Sequence, residues 1–476
     1  MNKITFGTDG WRGVIAKDFT YKSASRTIAA LIKYFQLKKS EAPKKVKKDL
    51  IIVGFDNRFL SPEIGRNSAI EFSKAGFKVI TSKFPITTPM VSVMIKHEKA
   101  LGGIMITASH NPYMYNGIKI RTHNGVSAGR EETAQIEKYI EDGVANIQDA
   151  VRRSKIIYKD MVPLYISFLS KKLDLRFLKK AGMKLIVDSI YGTGSYPFES
   201  ILKKSKISFF FIRSKRDPLF GFVNPEPIEQ NLEVLRESIK KERADFGIAF
   251  DGDADRIGLM DKKGNFINSH QIFALLLLHM LKNKKLNGDI VKTISGSFLI
   301  DRISRKYEKA LVETPIGFKH ISDQMLKRDV VVGGEESGGL GFKGYIEERD
   351  GIFAALLVIE YIVKENKPLE RLVEELHKQF GSSVYKRKDL HLKYLCEPYR
   401  TFNDLKRSAK KLFKKGLKQI QDFDGVKFVW NDDSWLLIRM SGTEPVLRVY
   451  AEHSTNAGVN NLLNQAEKLV ASCKLR

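Results

Sequence analysis

Short apolar runs alternate with helix signals along most of this chain, and that alternation limits the fold more than any other feature of it. Residues 50–54 read as a strand, and Ser61-Pro62-Glu63 as a helix start with Ser61 as cap and Pro62 in the first turn. Residues 77–81 and 101–107 read as the next strands. This βαβ rhythm describes a sheet covered by helices on both faces. A Glu-rich helical stretch runs from about Arg130 toward Ala145, and the weakly apolar residues 146–154 mark a boundary.

The rhythm then returns twice. A helix near 160–173 leads into strands at 183–188, 208–212 and 245–250, with a helix near 232–241 before the last. Further on come a helix at 271–282, a strand at 290–294, a helix from about Phe318, a strand at 330–332 and a long helix after Asp350-Gly351. Three units of similar size suggest an architectural repeat, although no sequence self-similarity accompanies it. Beyond Gly381 the pattern changes. A helix at 402–415, strand-like runs at 426–430, 435–440 and 446–452, and a helix from about Asn456 read as a smaller α+β unit.

Composition narrows the setting. The longest apolar runs, near 273–281 and 352–363, are shorter than a bilayer span and read as buried helices, so no membrane partner is expected. The two cysteines, Cys396 and Cys473, form neither a disulfide framework nor a metal-spaced pair, which suits a reducing compartment. Residues 1–7 have no apolar core of signal-peptide type, and a cytoplasmic setting is expected. The 81 Lys+Arg against 55 Asp+Glu give a net charge of +26. These lysines are scattered, with clusters at 38–48, 282–285 and 407–418, and no nucleic-acid-binding pattern runs through them. The excess therefore reads as solvated surface with a positive field for an anionic small substrate, and not as a nucleic-acid interface.

Several stretches carry chemistry. Thr107-Ala108-Ser109-His110-Asn111-Pro112 follows the end of a buried strand, and Asn116-Gly117 reads as a turn before a second short strand, Ile118-Lys119-Ile120. Open α/β sheets bind ligands at such strand ends. A serine there becomes a nucleophile only with a base, a charge or a metal nearby; otherwise this is a capped turn. Asp251-Gly252-Asp253-Ala254-Asp255-Arg256 also follows a strand. Its alternating carboxylates would repel one another unless they converge on a hard cation. An EF-hand is excluded by Arg256 and Lys262 at the positions that need Gly and Glu, and Asp255 stands where haloacid-type phosphatases have Thr or Val. Gly334-Glu335-Glu336-Ser337-Gly338-Gly339 offers carboxylates and a hydroxyl suited to sugar hydroxyls. Arg439-Met440-Ser441-Gly442-Thr443-Glu444-Pro445 offers a guanidinium, two hydroxyls and an open backbone suited to phosphate, or an ordinary turn. Phe6-Gly7-Thr8-Asp9-Gly10-Trp11-Arg12-Gly13 is a tight loop with an arginine. No P-loop lysine motif or dinucleotide fingerprint is present, so nucleotide chemistry is not implied.

In this order and at these separations, T-A-S-H-N-P, D-G-D-A-D-R, G-E-E-S-G-G and R-M-S-G-T-E-P, with the opening F-G-T-D-G-W-R-G, make the chain resemble the α-D-phosphohexomutases over nearly its whole length. The resemblance implies three α/β domains with mixed sheets and a smaller C-terminal α+β domain around a central cleft. The expected divisions are 1–154 with the phosphoserine loop, 155–260 with the metal loop, 261–382 with the sugar loop and 383–476 with the phosphate loop. It implies phosphate transfer between the 1- and 6-positions of a hexose, with Mg²⁺ and with glucose 1,6-bisphosphate as activator, in a monomer or homodimer whose partner is a sugar phosphate.

Carried over residue by residue, Ser109 would bear the phosphoryl group, and Asp251, Asp253 and Asp255 would hold Mg²⁺ with it. His110 and Lys119 would serve proton transfer or charge stabilisation, and Arg12 and Arg256 would steady the reacting phosphate. Glu335 and Ser337 would grip the sugar, with Thr314, Gly317 and Lys319 in the specificity loop. Arg439, Ser441, Gly442 and Thr443 would hold the second phosphate. The loop's G-F-K resembles the phosphoglucomutases. The glucosamine-phosphate branch usually has Gln and His where this chain has Glu336 and Gly339. Mannose and pentose phosphates stay open. A non-catalytic anion-binding scaffold is the alternative of a different class.

Overall fold

The computed structural model describes residues 3–141, 155–392, 398–413, 416–440 and 446–472. The first sheet comprises β1 (Trp11–Val14), β2 (Lys47–Phe55), β3 (Lys78–Ser82), β4 (Ala100–Ile106), β5 (Tyr115–Arg121) and β6 (Ile156–Lys159), in the order β1-β5-β4-β2-β3-β6. The second comprises β7 (Lys184–Asp188), β8 (Ser208–Ile212), β9 (Phe246–Phe250), β10 (Ile257–Asp261) and β11 (Phe266–Ile267), in the order β11-β10-β9-β7-β8. In the third, β12 (Asp289–Thr293), β13 (Leu311–Thr314), β14 (Val330–Gly334) and β15 (Leu340–Phe342) run β13-β12-β14-β15. The fourth is antiparallel throughout: β16 (Val384–His391), β17 (Leu417–Gln421), β18 (Val426–Trp430), β19 (Trp435–Met440) and β20 (Val446–His453), ordered β16-β20-β19-β18-β17.

The repeat that sequence comparison could not detect is plain in the topology. Parallel β3-β2-β4 is followed by antiparallel β5, parallel β8-β7-β9 by antiparallel β10, and parallel β13-β12-β14 by antiparallel β15. In each domain a candidate loop joins the last parallel strand to its antiparallel neighbour. The serine loop lies between β4 and β5, the aspartate loop between β9 and β10, and the Glu335 loop between β14 and β15.

Parallel strands must be covered on both faces, and the side chains divide accordingly. In β2, Leu50 and Ile52 face one core while Ile51, Val53 and Phe55 face another. In β7, Leu185 and Val187 point inward and Ile186 outward; in β12, Ile290 points inward and Val291 outward. The inward sets merge into one apolar layer through the first three domains, which Trp435, Leu437 and Tyr450 of the fourth also join. Each fully buried aliphatic or aromatic side chain contributes about 1.5–3 kcal/mol, so this shared layer holds the strand ends in register. The fourth domain keeps its own core from Leu436, Ile438, Leu447 and Val449. Among the described residues no helix is long and apolar enough to cross a membrane; both long apolar runs lie in buried helices, Ser269–Leu278 and Gly351–Glu365.

Three local readings differ from expectation. Asn116 and Gly117 do not form a turn but lie inside β5. The glycine is required because a Cβ there would meet the Trp11 carbonyl oxygen at 2.2 Å, and Asn116 donates to the Phe59 carbonyl and to Ser61 Oγ, each at 2.9 Å. Ser61 is the first residue of helix Ser61–Lys74, not its cap, which is the left-handed Leu60; its hydroxyl is taken by Asp56 at 2.6 Å. Finally, β6 pairs with β3 of the first sheet and β11 with β10 of the second, so each sheet recruits a strand from beyond the boundary read at 154 or 260.

Candidate active site

Ser109 follows β4 directly and is fully buried, with φ at 52°. A left-handed backbone costs a non-glycine residue about 1–2 kcal/mol, so the surroundings must hold it there. Its N–H donates to Thr107 Oγ1 at 2.9 Å, and its Oγ donates to Asp251 Oδ2 at 2.9 Å.

Asp251, Asp253 and Asp255 are all buried, with one oxygen from each within 4.8 Å of the others. Asp253 Oδ1 and Asp255 Oδ1 are buried with no hydrogen-bond partner among the described residues. Unpaired carboxylate oxygens in a dry site are costly. Two of them in one aspartate cluster beside a serine hydroxyl fit a hard, oxygen-liking cation. The opposite carboxylate edges are spoken for. Lys119 Nζ stands 2.8 Å from Asp253 Oδ2, from Asp255 Oδ2 and from Asp9 Oδ2.

Charge and burial compete throughout. Burial, with repulsion from Asp255 and Asp253, pushes the Asp251 carboxyl well up. Burial also acts on Asp253, but Lys119 outweighs it and holds that carboxyl below the usual range. Burial would lower Lys119, yet Asp253, Asp255 and Asp9 raise it, so it is a fixed cation. His110 is driven well below the ordinary imidazole range by burial, then by Arg256, Arg12 and Lys119, and is neutral.

His110 borders a cleft of about 570 Å³ to which every domain contributes: Asp9 and Arg12 with it; Glu226 and Arg256; Gly317, Glu335, Ser337 and Arg349; Tyr385, Arg387 and Arg448. Arg12 donates to Asn111 Oδ1 at 2.6 Å and Arg256 to Glu226 Oε1 at 3.1 Å. Ser337 Oγ donates to Glu335 at 2.5 Å. Glu336 also lines the cleft, and its carboxylate accepts from Ser295 at 2.7 Å and Thr293 at 3.1 Å.

Other expected residues stand elsewhere. Thr314 is buried beneath its loop, its hydroxyl 3.1 Å from the Pro315 carbonyl. Lys319 lines a separate groove of about 510 Å³ with His123 and His320. Arg439 pairs with Asp424 at 2.8 Å, and its strand partner Arg448 is the one that reaches the cleft. Ser441, Gly442 and Thr443 lie outside the described residues.

Sequence reasoning missed two buried arginines. Arg349 lies 2.7 Å from Asp9, 3.0 Å from Asp255 and 2.6 Å from Glu335, joining the loops of three domains. Arg58 lies under the serine loop. Their only sequence signal is an arginine beside acids at the edge of an apolar element.

Comparison with known proteins covers all four domains. Family profiles described as phosphoglucomutase/phosphomannomutase match: alpha/beta/alpha domain I at residues 3–146, domain II at 163–264, domain III at 268–380 and the C-terminal domain at 403–469. A phosphoglucomutase/phosphomannomutase of Thermococcus kodakarensis is 30% identical over 471 residues, covering 99% of each chain. A phosphoglucosamine/phosphogalactosamine mutase of Sulfurisphaera tokodaii is 27% identical, also over 99% of each. The crystal structure of a provisionally named phosphomannomutase from Thermus thermophilus superposes with a TM-score of 0.84 at 32% identity, over 99% of both chains.

Proposed function

The chain belongs to the phosphoglucomutase/phosphomannomutase family and is a phosphohexomutase, and from that premise we propose that it interconverts glucose 1-phosphate and glucose 6-phosphate through a phosphorylated Ser109. The observation that carries this is the buried Ser109 hydroxyl, 2.9 Å from Asp251 and beside two unpartnered carboxylate oxygens, next in sequence to His110, which lines a cleft together with Arg12 and Arg256.

Phospho-Ser109 gives its phosphoryl group to the free 6-hydroxyl of glucose 1-phosphate, leaving the serine hydroxyl and glucose 1,6-bisphosphate. The bisphosphate turns end for end, and its 1-phosphoryl group returns to Ser109, releasing glucose 6-phosphate. Asp251, Asp253 and Asp255 would hold Mg²⁺, which when bound offsets charge on the transferring group. Lys119 supplies fixed positive charge. His110 is suited to take the hydroxyl proton: burial lowers its basicity most, and phosphate bound against Arg12 and Arg256 would offset the part that those charges add. Glu335 and Ser337 accept from and donate to sugar hydroxyls.

The Gly317-Phe318-Lys319 loop and the Glu335-Glu336-Ser337 sequence favour glucose. Glucosamine phosphate is the second reading, because relatives of similar identity are named phosphoglucosamine mutases. A coupled assay with glucose, mannose and glucosamine phosphates side by side decides among them, with the highest kcat/KM expected on glucose 1-phosphate. Ser109→Ala should show no turnover, and intact-mass measurement should find no phosphate on the protein. A preference for glucosamine phosphate would overturn the sugar; turnover by the alanine variant would overturn the nucleophile.

A further inference from the structure

The turn after β2, Asp56-Asn57-Arg58, holds both sides of the candidate nucleophile. Arg58 is fully buried. Its Nη2 donates to the carbonyls of Ser109 at 2.7 Å and Asn111 at 2.6 Å, and its Nη1 to those of Pro112 and Tyr115, each at 2.9 Å. Arg58 Nε lies 3.3 Å from Asp56 Oδ2. That same carboxylate oxygen accepts from Thr107 Oγ1 at 2.6 Å, and Thr107 Oγ1 in turn accepts the Ser109 N–H. One buried carboxylate therefore governs the Ser109 N–H through Thr107 and the Ser109 C=O through Arg58.

The turn also fixes the opposing loop. Asn57 Nδ2 donates to the Tyr191 and Gly192 carbonyls of the second domain at 2.8 and 3.0 Å. Thr193 N–H next to them donates to the Gly252 carbonyl at 3.1 Å. Gly252 itself lies against the Ser109 carbonyl, where a Cβ would come to 2.5 Å. The Ser109 oxygen that Arg58 grips is thus the surface on which the loop carrying Asp251 rests.

We propose that Asp56, acting through Thr107 and Arg58, is the positioning residue that sets the attack geometry of Ser109. It touches no substrate; it keeps the strained Ser109 backbone in the conformation that aims Oγ at the aspartate cluster. This rests on the reading of Ser109 as phosphoryl carrier, and Ser109→Ala separates the two. If the alanine variant still takes up phosphate from glucose 1,6-bisphosphate, that reading fails, whatever Thr107 does.

The test uses the full chain with Mg²⁺, with single-turnover phosphorylation by glucose 1,6-bisphosphate followed by intact mass. Steady-state kinetics and melting temperature are measured on the same samples. Thr107→Val removes the hydroxyl and keeps the shape. It should slow Ser109 phosphorylation and kcat about 10- to 100-fold, the effect of a small misplacement at a reacting centre. KM should stay within about twofold, since the sugar grip is untouched, and Thr107→Ser should regain most of the rate. Arg58→Lys, which keeps the charge but not the fork of donors, should show the same split between kcat and KM. Where Thr107→Val does not fold, Arg58→Lys decides. Unchanged kcat in the folded variants, a KM that rises in step with the rate loss, or a Thr107→Ser variant as slow as Thr107→Val would reduce the network to a structural one.

Discussion

Around Ser109 the charged side chains are buried and shared between domains, whereas two arginines of the fourth domain, Arg439 and Arg387, stay nearer water and pair within their own domain. Lys119, 1% exposed, sits 2.8 Å from carboxylates of two domains, and Arg349, 4% exposed, binds Asp9, Asp255 and Glu335. By contrast Arg439 is 21% exposed and pairs with Asp424 alone among the described residues, and Arg387, 45% exposed, pairs with Asp389 on its own strand. Removing one member of a buried set strands the others at about 1–3 kcal/mol each. A part-exposed single pair contributes about 0–1 kcal/mol and changes partner readily. The first wall thus suits chemistry that must not move, and the second a grip that releases and takes hold again while a sugar turns round.

The hardest blow to that contrast is Asp253→Asn. It removes one negative charge of the three and one acceptor oxygen, leaving a single amide oxygen for Lys119 and Thr88, which both donate to Oδ2. Turnover should fall about 100- to 1,000-fold, as when a preorganised charge is removed from a reacting centre. Activity should also need more Mg²⁺, as read by titration after chelation. Full activity of the variant in EDTA would mean that the aspartates do not hold the metal and that the buried wall is only scaffold.

Arg439→Ala tests the other side. Charge-assisted hydrogen bonds contribute about 1.5–3 kcal/mol each, so kcat/KM should fall about 10- to 100-fold. The loss should sit mainly in KM, and added glucose 1,6-bisphosphate should restore part of the activity, because an intermediate held loosely escapes and leaves Ser109 unphosphorylated. An unchanged KM would move the second phosphate to Arg448 and Arg387, which already line the cleft.

The same division governs what the sequence disclosed. Ser109 and the three aspartates were legible because each lies on a short loop just after an apolar strand, and both the strand and the loop are local patterns. Arg58 and Arg349 were not, since their meaning lies in distant partners: Arg349 and Asp9 are 340 positions apart. Asn116-Gly117 reads as a turn from propensity alone, yet the glycine serves a close strand contact that only the folded sheet creates. Lys319 misled for a helical reason. Helix Phe318–Lys327 begins one residue earlier, and a helical step turns the side chain by roughly 100°. Phe318 faces the cleft and Lys319 the outer groove. The three-fold topology showed in the sequence only as a recurring rhythm of strands and helices, without residue self-similarity, because strand order is set by which apolar faces pack, not by residue identity.

The mildest test asks whether the fourth domain does come away more easily. Glu313 sits where the third and fourth domains meet, accepting from Gln421 Nε2 at 2.6 Å and Lys427 Nζ at 3.2 Å, with Lys292 Nζ at 3.3 Å. Burial raises this carboxyl, but Lys292 and Lys427 prevail and bring it from 4.5 down to about 2. Once the domains part, Glu313 loses Lys427 and Gln421 but keeps Lys292 of the neighbouring strand, so its carboxyl moves only part of the way back toward 4.5. Between pH 4.5 and about 2 the parted state binds more protons, so the contact is at full strength above pH 4.5 and weakens as pH falls toward 2. The full effect is at most about 3 kcal/mol. Asp253, on the other wall, is held below the usual carboxylate range by Lys119. Trp435 reports the event, because Lys427 Nζ lies 4.8 Å from its ring centre. In a Trp11→Phe, Trp430→Phe background, Trp435 fluorescence should change in this window before activity-independent unfolding of the first three domains, followed by far-ultraviolet circular dichroism. Glu313→Gln carries no titrating charge and should flatten the early change. An identical acid titration in wild type and Glu313→Gln would show that the fourth domain is held by its apolar contacts through Trp435, Leu437 and Tyr450, and the contrast between a fixed wall and a releasable one would then rest on the arginines alone.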